Sequence, residues 1–176
     1  MTKSSKEKTD EDTKLILEEL KKNSNKSINE IAKKLAFSRQ KVWRIVKKLE
    51  KDKIIWGYGA VFDKEKLGIK YYILLLKRNA KPIPSSAIED ITLREIDNKI
   101  KKMNCEMINS LYTNGYYDWV IFFTAPNIIQ AKKVSEIYIS KYGELLDDIQ
   151  LLETIFPVKV EGKINPNINK LNKIFS

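Results

Sequence analysis

The sequence predicts an α+β chain in two parts, an N-terminal three-helix domain of the winged-type helix-turn-helix kind and a ferredoxin-like β-α-β-β-α-β domain behind it. Three observations carry that expectation. Positive charge gathers in the first third of the chain. Two helix-start signatures, at Ser27 and Ser38, frame a pair of short helices within residues 27–52. Beyond residue 70, the apolar pattern runs strand, helix, strand, strand, helix, strand. The expected divisions are 1–62 for the first domain with its connecting strand, with the helix-turn-helix at about 28–47, then a linker at 63–69, the second domain at 70–161 and an Asn-rich tail at 162–176.

Residues 1–11 read as a frayed charged tail ahead of a helix with Leu15, Ile16, Leu17 and Leu20 largely on one side. Residues 23–26 end it. Ser27-Ile28-Asn29-Glu30 fits a capping box, in which the serine hydroxyl accepts from the Glu30 amide and the Glu30 carboxylate reaches back to the Ser27 amide. A second helix runs to about Leu35. Ser38 caps a third, where Val42, Ile45, Val46 and Leu49 recur at the spacing of a buried stripe. Residues 54–62, with aromatic and β-branched side chains beside two glycines, predict a connecting strand.

In the second part, residues 63–68 predict a turn and 71–77 a strand that is apolar on both faces. Residues 79–91, with Pro82 and Pro84, predict a loop. Thr92-Leu93-Arg94-Glu95 fits a second capping box, opening a helix with Leu93, Ile96, Ile100 and Met103 inward. Strands at 106–113 and 117–124 meet at Asn114-Gly115, a strong hairpin signal of the type I′ kind. Asn127 caps a helix ending near Gly143, and residues 149–160 predict the last strand. Helices on one face leave the other bare, yet Tyr71, Ile73 and Leu75 alternate with Tyr72, Leu74 and Leu76. A second copy of the chain is the expected cover, giving a homodimer or higher oligomer.

Composition narrows the function. The 33 basic and 23 acidic residues give a net charge of +10, of which +7 lies in residues 1–60. That asymmetry points to a polyanionic partner, double-stranded DNA. A charged N-terminus and the lack of a run of about 18 apolar residues predict a cytoplasmic protein with no membrane contact. No histidine and a single cysteine, Cys105, predict no metal site, no cofactor and no catalytic triad. Cys105 reads as a small residue at a strand edge.

On the third helix the face opposite the apolar stripe carries Gln40, Arg44, Lys47 and Lys51. Glutamine pairs bidentately with adenine and arginine with guanine, while Arg39, Lys41, Lys47, Lys48 and Lys51 suit phosphates. Ser27, Ser38 and Trp43 stand where sugar or backbone contacts are expected.

In combination these pieces resemble the leucine-responsive/asparagine regulator (Lrp/AsnC) family. Ala32, Val42 and Leu35-Ala36-Phe37-Ser38 fall where the helix-turn-helix pattern expects them. Residues 49–58 resemble that family's exit from the recognition helix, the likeness continues through 63–68, and Gly115-Tyr116-Tyr117-Asp118 resembles a signature turn of its effector domain. The likeness covers roughly residues 12–161 and departs where Ala36 replaces the usual turn glycine and Asn114 the usual threonine. It implies a sequence-specific transcription regulator, not an enzyme, whose C-terminal domains form a dimer or ring and bind an amino acid or similar effector, here at Gly115, Tyr117 and Asp118. Two alternatives stand beside it. One is an architectural protein that coats DNA without choosing sequence. The other is an enzyme similar to the siroheme decarboxylases, which resemble the same family and rely on histidines this chain lacks.

Overall fold

The structure, a computed structural model, describes residues 5–175. The chain separates into two compact units, Met1–Ala60 and Val61–Ser176.

The first unit holds α1 (Ser5–Lys22), α2 (Ile28–Leu35) and α3 (Arg39–Lys51). Of the tail expected at residues 1–11, residues 1–4 lie outside the described residues, and from Ser5 onward the chain is helical instead. The stretch lacks Gly and Pro, and Asp12 is pulled inward to only 9% exposure, where it meets Lys41 at 2.6 Å. The capping box forms as expected: Ser27 Oγ accepts from the Glu30 amide at 3.2 Å and the Ser27 amide donates to Glu30 Oε2 at 2.7 Å. Helix α2 ends at Ala36 in the left-handed conformation (φ 53°, ψ 38°), which costs a non-glycine residue about 1 kcal/mol. Ser38 Oγ then accepts from the Lys41 amide and starts α3. Ile16, Ile31, Val42, Val46 and Leu49 close one small core.

The expected connecting strand is corrected. Lys53 is left-handed (φ 54°), and the amides of Ile54 and Ile55 both donate back to the Leu49 carbonyl, at 2.9 and 3.1 Å, so these residues close α3 rather than begin a strand. Residues 55–62 follow without regular pairing, because no neighbouring strand among the described residues supplies a ladder.

The second unit is built on a four-stranded antiparallel sheet in the order β2-β3-β1-β4, from β1 (Lys70–Arg78), β2 (Glu106–Tyr112), β3 (Trp119–Ala125) and β4 (Leu146–Glu153). Helix α6 (Ile128–Tyr142), capped by Asn127 as expected, packs on one face beside α4 (Ser85–Thr92) and α5 (Glu95–Lys101). The β-α-β-β-α-β order therefore holds, with its first helix in two pieces. Tyr72, Leu74, Leu76, Trp119, Ile121 and Phe123 point into the core, whereas Tyr71, Ile73, Leu75, Val120 and Phe122 alternate with them, half-buried, on the open face.

Four further expectations are corrected. Residues 79–91 are not all loop, since Pro84 stands at the N-cap of α4 and buried Ala87 anchors that helix, so the two prolines precede it rather than interrupt it. The capping box at Thr92–Glu95 is absent: Thr92 Oγ1 donates back to the Ile88 carbonyl, Arg94 is left-handed (φ 57°), and Leu93 is exposed. The hairpin is wider than a two-residue type I′ turn, with neither Asn114 nor Gly115 at positive φ, because Thr113 closes the loop by bonding Asp118 and Tyr117. The last strand begins at Leu146 and ends at Glu153. Pro157, which cannot donate to a ladder, lies ahead of the two-residue strands β5 (Lys159–Val160) and β6 (Lys163–Ile164). The described part of the tail ends in a short helix, α7 (Asn172–Phe175).

Candidate nucleic-acid interface

Helix α3 turns Val42, Ile45, Val46 and Leu49 inward and leaves Arg39, Gln40, Trp43, Arg44, Lys47, Lys48 and Lys51 exposed. One apolar stripe fixes the rotation of the helix and leaves these side chains facing outward. Among the described residues Arg39, Arg44, Lys48 and Lys51 make no ion pair, so their charge is available to a ligand. Trp43 is 55% exposed on the same surface.

The other residues expected there have partners of their own. Lys41 is half-buried, bridged to Asp12 at 2.6 Å and set over the Phe37 ring at 3.9 Å, so it ties α1 to α3. Lys47 bridges Glu50 at 2.8 Å, and the Tyr58 hydroxyl donates to the other oxygen of that carboxylate at 3.1 Å. The Lys47 ammonium, with the Tyr58 hydroxyl behind it, holds the Glu50 carboxyl below its usual range. Burial and then Glu50 push the Tyr58 phenol up. The Ser27 hydroxyl both donates and accepts within its cap, and Ser38 Oγ accepts from the Lys41 amide. Spacing of i,i+3 marks the Lys47–Glu50 pair in the sequence, whereas the Asp12–Lys41 and Glu50–Tyr58 contacts arise only from folding.

Of a second cluster the sequence marks only the i,i+3 pair Glu19–Lys22. Glu19, 3% exposed, accepts from Lys22, Lys26 and Lys34 at 3.0, 2.8 and 2.8 Å. Three ammonium groups around one carboxylate lower its pKa to about 2, Lys26 contributing most. The unit thus carries an electropositive surface at the junction of α1 and α2 as well as on α3.

In the second unit, Asp118 Oδ2 accepts from the Arg78 amide at 2.8 Å, tying the β2–β3 turn to β1, while Tyr116 packs edge-on against Tyr117 with ring centroids 5.0 Å apart. Among the described residues no helix is long and apolar enough to cross a membrane.

Residues 10–55 match the family described as winged helix-turn-helix DNA-binding. No curated protein matches the chain by sequence. Solved structures resemble it over most of its length, among them the following three. An AsnC-family transcriptional regulator from Agrobacterium tumefaciens is 19% identical over 88% of this chain and 95% of its own, with a TM-score of 0.63. LrpC of B. subtilis is 19% identical over 84% and 95%, with a TM-score of 0.59. A transcriptional regulator of Neisseria meningitidis in complex with L-methionine is 18% identical over 97% and 99%, with a TM-score of 0.64. The first unit is a winged helix-turn-helix DNA-binding domain. The chain as a whole has the fold of the Lrp/AsnC transcription regulators.

Proposed function

We propose that the chain is a sequence-specific DNA-binding transcription regulator of the Lrp/AsnC type, with residues 1–62 binding DNA and 70–161 serving assembly and effector binding. The observation that carries this reading is α3, a helix held by one apolar stripe that offers a glutamine, two arginines and two lysines free of ion pairs to a groove. Gln40 and Arg44, near its N-terminal end, read base edges. Arg39, Lys48 and Lys51 neutralise phosphates, as does Lys47 once a phosphate replaces Glu50. Trp43 contacts sugar.

Titration of a site selected from random DNA against unselected DNA, over a range of salt, tests this. Arg44→Ala should lose about 1–3 kcal/mol on the selected site and little on random DNA. Lys51→Ala should weaken both alike and lower the slope of log affinity against log salt by about one for each phosphate that Lys51 neutralises. Equal weakening on both targets by Arg44→Ala would favour an architectural protein that coats DNA.

The open sheet face supports assembly through a second copy. Its half-buried Tyr71, Ile73, Leu75, Val120 and Phe122 continue into exposed Leu111 and Leu152, and a twofold pair would cover this face on both molecules at once. The Neisseria meningitidis structure contains L-methionine. We assign the corresponding role of amino-acid recognition here to Gly115, Tyr117 and Asp118, where Asp118 Oδ1 is left for an ammonium group once Oδ2 is bound to Arg78. An amino acid at 100 times its dissociation constant should stabilise the protein by about 2.7 kcal/mol, and thermal shifts that stay flat for every amino acid refute the assignment.

A further inference from the structure

The helices that cover the sheet of the second unit gather lysines at one end. Lys99 and Lys101 lie in the last turn of α5, Lys102 is its C-cap, and β2 begins shortly after, at Glu106. Helix α6 follows the end of β3 and carries Lys132 and Lys133 in its first half. Because Glu106 pairs with Thr124 in the β2–β3 register, the end of α5 and the start of α6 come to the same end of the sheet. All five lysines are exposed. Lys99 and Lys133 line one groove between the two helices, where Met103 and Ile137 rest on the core, and Lys102 stands one helical turn beyond Lys99.

The charge at this end is uncompensated. Elsewhere the chain pairs its lysines, three of them around Glu19 and Lys141 between Asp90 and Glu95 at 3.0 and 2.6 Å. The sheet carboxylates near the five lysines are already held, Glu106 by Lys64 at 2.8 Å and Glu153 by Lys70 at 2.6 Å. Both acidic residues of α5, Glu95 and Asp97, lie in its first turn and are bound to Lys141 and Arg94. Among the described residues none of the five lysines makes an ion pair, and Glu136 is the one carboxylate lining the groove. At the opposite end of the sheet, by contrast, Lys77, Arg78 and Lys81 stand among Asp118, Glu144, Asp147 and Asp148.

Like charges held together by a fold repel one another, and a polyanion relieves that repulsion while releasing its own counterions. The residue types decide how such a partner is met. Helix α3 offers glutamine and arginine, whose planar groups match base edges, whereas this face offers only lysine, a hydrated point charge suited to phosphate. We propose that the lysine face of α5 and α6 is a second contact for the DNA backbone, independent of sequence, so that a long duplex is held by the second unit as well as by α3. The proposal rests on the DNA-binding reading of the first unit and adds phosphate contacts outside it.

Titration of the full chain with a random duplex of about 60 base pairs, roughly six helical turns, over a range of salt tests it. Lys99→Gln with Lys102→Gln and Lys133→Gln should lower the slope of log affinity against log salt by roughly 0.9 for each lysine, about 2.7 for each copy bound. A selected site and random DNA should weaken by the same factor, since phosphates carry no sequence. The same three positions changed to arginine should bind as the parent does. Lys81→Gln with Lys170→Gln and Lys173→Gln removes equal charge from exposed positions elsewhere and should leave the slope unchanged. A parent chain that binds DNA while the first triple variant keeps its slope would overturn this proposal and leave the α3 reading standing. So would an equal fall in slope from the second triple variant, which would make the effect one of net charge. A parent chain that binds no DNA would overturn both readings.

Discussion

At the scale of single residues, the first unit depends on polar side chains that fold inward. Glu19 is the clearest, because its carboxylate is out of water and gathers Lys22, Lys26 and Lys34, charges that would otherwise repel. Its pKa falls from 4.5 to about 2, so the folded state releases this proton more readily than the unfolded chain. The stabilisation is therefore complete above pH 4.5 and is lost as pH falls from there towards about 2. Glu19→Gln should lower the melting temperature at neutral pH and flatten its dependence on pH across that acid window. Thermal melts in a pH series check this, and an unchanged acid slope would remove Glu19 from the account. Lys41 and Lys47 teach a related lesson: a lysine on a recognition helix has its charge free only when no carboxylate lies within reach, and Asp12 and Glu50 do.

At the scale of elements, most boundaries follow from caps, and most surprises come from left-handed residues. Ala36 ends α2 at φ 53° where glycine would be relaxed. Ala36→Gly should stabilise the first unit by about 1 kcal/mol, equivalent to a rise of roughly 4–8 °C in the melting of a domain of this size, without altering DNA affinity. A melt of the variant beside the parent decides it, and a fall in melting temperature would show that the turn is held by contacts that glycine loosens. Arg94 is the opposite case. It separates α4 from α5, where the sequence predicts a loop to residue 91 and a helix only from Thr92, and its side chain holds Asp97.

At the scale of the whole molecule, the sheet of the second unit buries one face under its helices and leaves a second apolar face open. Assembly through that face predicts at least a dimer in sedimentation at micromolar concentration. Leu111→Lys with Leu152→Lys, at positions 48% and 43% exposed, should shift the protein towards monomer while leaving its circular dichroism unchanged. An assembly unaffected by both lysines would place the interface elsewhere. Because a twofold protein holds two recognition helices, the same pair of substitutions should also weaken binding to a selected site far more than binding to random DNA.

Local chemistry is legible in a sequence, and so the three helices of the first unit, the caps at Ser27, Ser38 and Asn127, the buried stripe of α3 and the β-α-β-β-α-β order could all be read from residue spacing. Each rests on contacts within a few residues, where period and capping decide the outcome. Tertiary structure decided the rest. The left-handed Arg94, the closure of Asn114-Gly115 by Thr113, the burial of Glu19 and the pairing of Asp12 with Lys41 depend on neighbours that packing or backbone closure supplies. The packing of Tyr112, Tyr138 and Tyr142 around Trp119 belongs to the same class, because it gathers rings from β2, β3 and α6 that no sequence window contains together. Spacing alone reveals which residues share a face, but which faces meet, and which charges are drawn between them, is set only when the whole chain excludes water from its cores.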